Sequence, residues 1–451
     1  MVAKLRRSMG PWQASSLVVG CIIGTGIFLK TSTMTQQVGS YGAVMAAWVL
    51  AGILSYAGAL TYAELSARFP NSGGEYVFLK EAYGPLLGFL YGWVRFWIGS
   101  PGSIAAYAVG AATFSNGLGL AKNFPGGIPG LAVTFVLIFS AINCAQVVWG
   151  ARVQTFLTAL KVALILFLPI GALFFAHPML QSAPIELSTA IDTSMGSLSV
   201  STFGLAMIAA LWAFDGWNNL PMVGEEIENP GRNLPIALGL GVLGVLFLYL
   251  SANWAYFQLV PLAEIVQSNS SLYPDALPVA TKAAKSFLGD VGVPLLSIAF
   301  VISALGAMNG SILTGARVPY AMAGDGLMPK SIGLVSSTTH VPIVAVLVQA
   351  IVAIALALTG TFDQLTDWVV VASWLFYALC ISTLFVFRKR QSAAPAFQVP
   401  GFPVIPILFI LASLFLIVNS LLNNVAAALS GAVLVAAGVP VFYFMRRTHK
   451  K

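Results

Sequence analysis

The chain runs to 451 residues, 58% of them hydrophobic and only 8% charged, with 22 Lys and Arg against 15 Asp and Glu for a net charge of +7. Soluble domains carry roughly 25% charged residues, so this composition excludes an ordinary water-soluble globular protein and describes an integral membrane protein. The basic balance does not signal nucleic acid, because its distribution follows membrane topology, and the cysteines (Cys21, Cys144, Cys380) all sit in apolar segments, so no disulfide framework is encoded.

The N-terminal Lys4-Leu5-Arg6-Arg7 leads into apolar residues with no small-residue cleavage site, so the first segment is expected to be retained as a helix. From there apolar segments recur at roughly 12–38, 42–67, 85–115, 128–147, 153–175, 198–222, 234–259, 291–323, 342–359, 366–387, 402–422 and 426–445. Most reach the ~20 residues that a helix needs to cross the hydrocarbon, and the longer ones must tilt. The expectation is an all-α integral membrane protein of twelve transmembrane helices. Seventeen of the 22 Lys and Arg fall on the N-terminal side of such a bundle, four (Lys30, Lys122, Lys282, Lys285) on the other, and Lys161 alone within it. By the positive-inside rule both termini are cytoplasmic. Trp48, Trp93 and Trp368, near span ends, read as interfacial anchors.

Two segments break their own hydrophobic pattern. In the first, Val19-Gly20-Cys21-Ile22-Ile23-Gly24-Thr25-Gly26-Ile27-Phe28 sets glycines about a β-branched residue at mid-depth, each a weak helix former. A helix broken there leaves backbone groups unpaired, which hydrocarbon tolerates only where the chain lines an enclosed or watered cavity. The second half-helix would aim its free N–H groups at an anion such as a carboxylate. Close packing through small residues is the plain structural alternative for this stretch alone. The sixth segment is interrupted at Phe214-Asp215-Gly216-Trp217-Asn218-Asn219. Spans one to five (about 12–175) and six to ten (about 198–387) then form halves of opposite topology, each with an odd number of helices, followed by peripheral helices at about 402–445. Paired interruptions in two halves point to a binding site at the midplane.

The loop after span two reads Glu64-Leu65-Ser66-Ala67-Arg68-Phe69-Pro70-Asn71-Ser72-Gly73-Gly74-Glu75-Tyr76 and runs on to Tyr83-Gly84-Pro85. The loop after span six reads Gly224-Glu225-Glu226-Ile227-Glu228-Asn229-Pro230-Gly231-Arg232-Asn233-Leu234-Pro235. Turn residues and charge make both solvated cytoplasmic loops, their carboxylates paired with Arg68 and Arg232, or parts of an inner gate.

These stretches, with Trp212-Ala213-Phe214-Asp215-Gly216-Trp217-Asn218 and Asn309-Gly310-Ser311 through Arg317, resemble the amino acid–polyamine–organocation superfamily, in its L-type amino acid transporter and bacterial serine/threonine exchanger branch. The resemblance covers the first eight spans by motif and the rest only by hydrophobicity. It implies a LeuT-like five-plus-five inverted repeat with discontinuous helices 1 and 6. It also implies a substrate α-carboxylate on the amides of Gly24, Thr25 and Gly26, an α-ammonium on carbonyls of Trp212, Ala213 and Asp215, and Trp212 as the outer gate. Animal members of the branch tether a heavy chain through a Cys between spans three and four. The stretch 116–127 has none, so no disulfide-linked heavy chain is expected. Asp215 stands where several members have Gly, which leaves open a cationic substrate or a proton-linked role.

Lys161 falls roughly 14 Å into span five at 1.5 Å per residue, where an ionised amine needs partners. The resemblance puts it near the first break and span eight, where sodium-coupled relatives bind a cation. It is then a sodium surrogate or proton carrier, or a structural partner of exposed carbonyls. Arg95 reads as a structural residue snorkelling toward the cytoplasm.

The expected function is sodium-independent exchange of neutral L-amino acids by alternating access in a bacterial inner membrane. Proton-coupled carriage of cationic amino acids or polyamines and a non-transporting nutrient receptor are the alternatives. His177, His340 and His449 lack metal-ligand spacing, and no Walker A, HExxH or GxSxG element is present. An enzyme, a cofactor, a metal and a nucleic-acid partner are therefore not expected; substrate and lipid bilayer are the partners.

Overall fold

Pro11, whose missing N–H costs nothing at a helix start, opens α1 (Pro11–Ile22) in the computed structural model, which describes residues 5–448 apart from 117, 121, 123, 176–198, 274, 360–361, 391–394 and 424. Lys4, His177, His449, Lys450 and Lys451 lie outside the described residues. After a short break the first segment resumes as α2 (Gly26–Val38), which Gly39 ends in the left-handed region. Ser40 then caps α3 (Tyr41–Arg68) by accepting the Ala43 N–H at 3.3 Å. A short α4 (Glu75–Tyr83) follows, a helix where the sequence suggested only a loop. Next come α5 (Pro85–Val94) and α6 (Ser100–Asn116), joined by a π turn over Arg95–Gly99. Then follow α7 (Gly127–Ala145) and α8 (Val147–Phe175).

The next described helix is α9 (Val200–Ala213), started by a reciprocal Ser199–Thr202 capping box. It is followed by α10 (Pro230–Leu259), the short α11 (Leu262–Val266) and α12 (Val279–Leu288), then α13 (Gly292–Gly315). The expected span 291–323 is thus cut at Ala316, beyond which α14 (Arg317–Gly324) runs separately. The remaining helices are α15 (Ile343–Thr359), α16 (Phe362–Arg390), α17 (Val404–Asn423) and α18 (Val425–Thr448). Among the described residues there is no named strand, only the isolated bridges Met9–Ile227 and Ser72–Val223. Helices close all their backbone bonds internally, which is what hydrocarbon demands.

Among the described residues six helical stretches are long and apolar enough to cross a membrane: Pro11–Val38, Tyr41–Arg68, Gly127–Ala145, Val147–Phe175, Pro230–Leu259 and Val279–Gly324. Four shorter apolar helices, at Val200–Phe214, Ile343–Thr359, Val404–Asn419 and Gly431–Arg446, stand beside them. The centre is built by α1 and α2 against α8, α9, α10 and α13, with α3 packed along α10 and α6 along α13. Apolar side chains such as Phe247 and Leu422 face outward along the sides, as a bilayer-facing surface requires. Trp368 falls on α16 with its side chain outside the described set.

Candidate functional site

The first break is a change of backbone direction at Ile23 (φ −72°, ψ 91°), after which α2 restarts at Gly26. Phe28 N–H is the first donor to bond back, to Thr25 O at 3.2 Å. The amides of Gly24, Thr25 and Gly26 have no hydrogen-bond partner among the described residues, the donor set that a helix start leaves open. In the second break, the N–H groups of Phe214 and Asp215 fold back onto Ala210 O and Trp212 O. Gly216 then takes φ +117°, and the chain leaves as a tight 3₁₀ turn over Trp217–Met222. A Cβ on Gly216 would lie 2.7 Å from Cys21 O. Only glycine meets both the left-handed φ and this approach, and the contact seats the second break on the first.

The carbonyls freed by the two breaks are held from behind. The fully buried Tyr249 of α10 sets its hydroxyl within donating distance of both Ile22 O (3.1 Å) and Ala213 O (2.9 Å). Trp48 packs edge-on and Phe214 tilted against it, with ring centroids 5.3 Å and 5.0 Å from that of Tyr249. Trp48 is therefore not an interfacial anchor; it is fully buried, and its ring fills the space behind the second break. On the opposite side Lys161 of α8, fully buried, donates to Gly20 O (2.9 Å), Ile23 O (2.6 Å) and Ser303 O (3.0 Å). Its three N–H donors match three carbonyls. Ser303 of α13 adds a hydroxyl to Gly24 O at 2.8 Å.

The residues singled out in the sequence converge here. Gly24 faces the Tyr107 ring, and the buried Thr25 hydroxyl has no partner among the described residues. Gly26 abuts α9: a Cβ there would sit 2.6 Å from the Ala213 methyl and 3.1 Å from the Trp212 ring. Trp212 also lies beneath Lys30, its ring centroid 4.7 Å from Nζ. Trp212 O accepts the Asp215 N–H at 3.2 Å, and Ala213 O accepts the Tyr249 hydroxyl. Asp215 accepts the Tyr377 hydroxyl at 2.5 Å.

A polar layer next to the second break was not legible in the sequence. Arg95 does not snorkel; it is 7% exposed and donates to Asn219 Oδ1, because the π turn that begins at this residue directs it inward. Such turns often mark functional sites. Glu75 is fully buried and accepts from Tyr62 (2.7 Å), Tyr91 and Asn218 (3.2 Å). The two loops are not simply solvated. They dock on each other through the Ser72–Val223 bridge and Gly73 N–H to Met222 O at 2.9 Å. Glu226 pairs with Arg317 (2.7 Å, both fully buried) and not with Arg232. Glu64 accepts from Arg68 (2.9 Å), Arg388 (2.6 Å) and the Val399 N–H (2.8 Å). Arg317, at the end of the Asn309-Gly310-Ser311 motif, was the one available hint, since a charge closing an apolar span needs a partner.

Two interrupted helices meeting around unpaired backbone donors, inside an apolar helical bundle, define a multi-pass membrane protein with a broken-helix site. The chain belongs to the amino acid permease family, whose model matches residues 9–444. It is 31% identical over 451 residues to the serine/threonine exchanger SteT of Bacillus subtilis (strain 168), covering 98% of each chain. It is 32% identical over 448 residues to the b(0,+)-type amino acid transporter 1 of Mus musculus, covering 98% of this chain and 88% of that one. The human cystine/glutamate transporter is 30% identical over 455 residues, with 99% and 87% covered. These relatives are transporters and exchangers, not enzymes.

Proposed function

We propose that the protein is a sodium-independent secondary transporter that exchanges neutral L-amino acids by alternating access. The observation that carries this reading is the Lys161 ammonium on Gly20 O, Ile23 O and Ser303 O. A bound sodium ion at the junction of the first break with α13 would serve to satisfy such carbonyls. A fixed ammonium does the same and repels a second cation. The unpartnered amides of Gly24, Thr25 and Gly26 support a carboxylate read by backbone, and the carbonyls of Trp212, Ala213 and Asp215 an α-ammonium, with Trp212 as outer gate. Similarity to a serine/threonine exchanger favours small neutral side chains.

In this reading the chain forms twelve spans as a LeuT-like inverted repeat, residues 12–175 and 198–387, with peripheral helices over 402–445. Both termini are cytoplasmic in a bacterial inner membrane, and no disulfide-linked heavy chain joins it. The test is uptake of radiolabelled serine into proteoliposomes preloaded with single amino acids, with and without sodium. Counterflow by neutral amino acids and no saturable sodium activation are expected; saturable sodium activation overturns the reading. A second reading, carriage of cationic amino acids or polyamines, is favoured by the Asp215 carboxylate beside the second break. Lysine or putrescine outcompeting serine and alanine would establish it instead.

A further inference from the structure

The first turn of α10 opens onto a cleft of about 520 Å³, away from the two breaks and within the ~300–1,000 Å³ of sites that hold small molecules. Arg7 and Arg232 both line it, together with Gly231, Pro235, Ile236 and Phe397. Both arginines are exposed, and neither has an ion-pair partner among the described residues. The carboxylates nearest in the chain are engaged elsewhere: Glu226 is held by Arg317, and Glu228 sets Oε2 beside Gly10, outside the cleft lining. Arg7 is not on a loose end. Ser8 and Met9 N–H bond Glu226 O at 3.0 Å, Glu228 N–H bonds Met9 O at 2.9 Å, and Met9 is fully buried. The N-terminal segment is thus pinned beside the approach to α10, which keeps two positive charges at one cleft. The Gly231 N–H, without a partner among the described residues, adds to the positive end of a 30-residue helix. Two unpaired guanidinium groups repel, and an anion between them turns that repulsion into attraction.

The apolar lining decides which anion. Pro235, Ile236 and Phe397 offer nothing to a free inorganic ion. Ile236 also begins an exposed apolar row, continued by Leu240, Leu243 and Phe247 on one face of α10. That helix is long and apolar enough to cross the membrane, so the row leads from the cleft into hydrocarbon. No carboxylate among the described residues lines the cleft to receive the ammonium of a zwitterionic headgroup. We propose that the cleft binds the headgroup of an anionic phospholipid, its phosphate on Arg7 and Arg232 and an acyl chain along Ile236, Leu240, Leu243 and Phe247. Basic pockets at the membrane edge of a helical bundle recognise such headgroups by the same charge pairing. A lipid held there ties the segment before α1 to the start of α10, and so the chain entering the first break to the chain leaving the second.

The probe is phosphatidylglycerol, titrated into the purified full chain in detergent, with its dissociation constant read by native mass spectrometry. A basic residue near a membrane surface contributes about fivefold in affinity. Arg7→Gln and Arg232→Gln should therefore each weaken phosphatidylglycerol about fivefold, and the double variant about twenty-five-fold. Both side chains are exposed and unpaired, so the variants should stay monodisperse. Arg6→Gln removes an exposed charge outside the cleft lining and should leave the affinity unchanged. Phosphatidylcholine should bind the wild-type protein more weakly than phosphatidylglycerol does, and equally weakly in the double variant. Unchanged phosphatidylglycerol affinity in the double variant overturns the proposal. So does an equal loss in Arg6→Gln and Arg232→Gln, which would reduce the effect to diffuse surface charge. Displacement of the lipid by an equal concentration of inorganic phosphate would make this a free-anion site and overturn the lipid assignment.

Discussion

At the residue scale the centre depends on single donors placed against freed carbonyls. Lys161→Ala strips Gly20 O and Ser303 O of their side-chain donor, while Ile23 O retains the Ser303 hydroxyl at 3.3 Å. Ser303 O keeps its helical bond inside α13, so at about 1–3 kcal/mol for a buried group left unpaired the loss at Gly20 O should make the variant less stable by about 1–3 kcal/mol, read as a fall in Tm in detergent. Exchange should drop at least tenfold at every pH from 5.5 to 8.5. Normal transport by Lys161→Ala would remove the lysine from the mechanism. Tyr249→Phe keeps the ring between Trp48 and Phe214 and deletes only the hydroxyl shared by the two breaks. It should cost about 1–3 kcal/mol, with weaker serine binding by calorimetry, because the donor that ties Ile22 O to Ala213 O is lost.

At the scale of elements, the contact between α2 and α9 sets how the two breaks face each other. Gly26 meets Ala213 so closely that even a methyl group must displace α9, so the need for glycine there is first a matter of helix approach. Gly26→Ala should therefore impair exchange, and Ala213→Gly in the same chain should restore only part of it, since the methyl contact at 2.6 Å goes but the Cα at 2.9 Å stays. A clash with the ligand itself would not be relieved that way, and uptake by the double variant distinguishes the two causes. Trp212 lies between Gly26 and the Lys30 ammonium, which supports its proposed role as a cover over the break. Trp212→Ala should slow exchange more than it weakens equilibrium binding, since occlusion and not head-group contact is lost. Equal losses in the two measurements would count against a lid.

For the whole molecule, the segments that follow α3 and α9 are locked to the α14 region by ion pairs of very different worth. Glu226 and Arg317 are both fully buried, so Glu226→Gln leaves a guanidinium without its charge partner and should cost about 3–5 kcal/mol. Lys80 and Asp325, 2.8 Å apart, are 24% and 35% exposed, where solvent screens the pair. Lys80→Ala should cost no more than about 1 kcal/mol and lose even that in high salt. Thermal inactivation of the purified variants, with and without added salt, checks the ranking. The N-terminal segment joins the same lock, since the N–H groups of Ser8 and Met9 both bond Glu226 O at 3.0 Å.

Sequence alone determined what depends on composition and local chemistry. Bulk hydrophobicity dictated a membrane-embedded helical bundle, because hydrocarbon accepts little else. The weak helix formers at Gly24-Thr25-Gly26 and at Asp215-Gly216 marked both interruptions, because propensity is a property of adjacent residues. Contacts between distant positions were decided only by the tertiary structure. Nothing near Arg95 in the chain says that a π turn will rotate it inward onto Asn219. Nothing near Trp48 says that it backs the second break instead of meeting headgroups, or near Glu226 that its partner is Arg317 and not the adjacent Arg232. A buried charge is assigned its partner by packing and desolvation across the fold, and those energies appear only once the helices have docked.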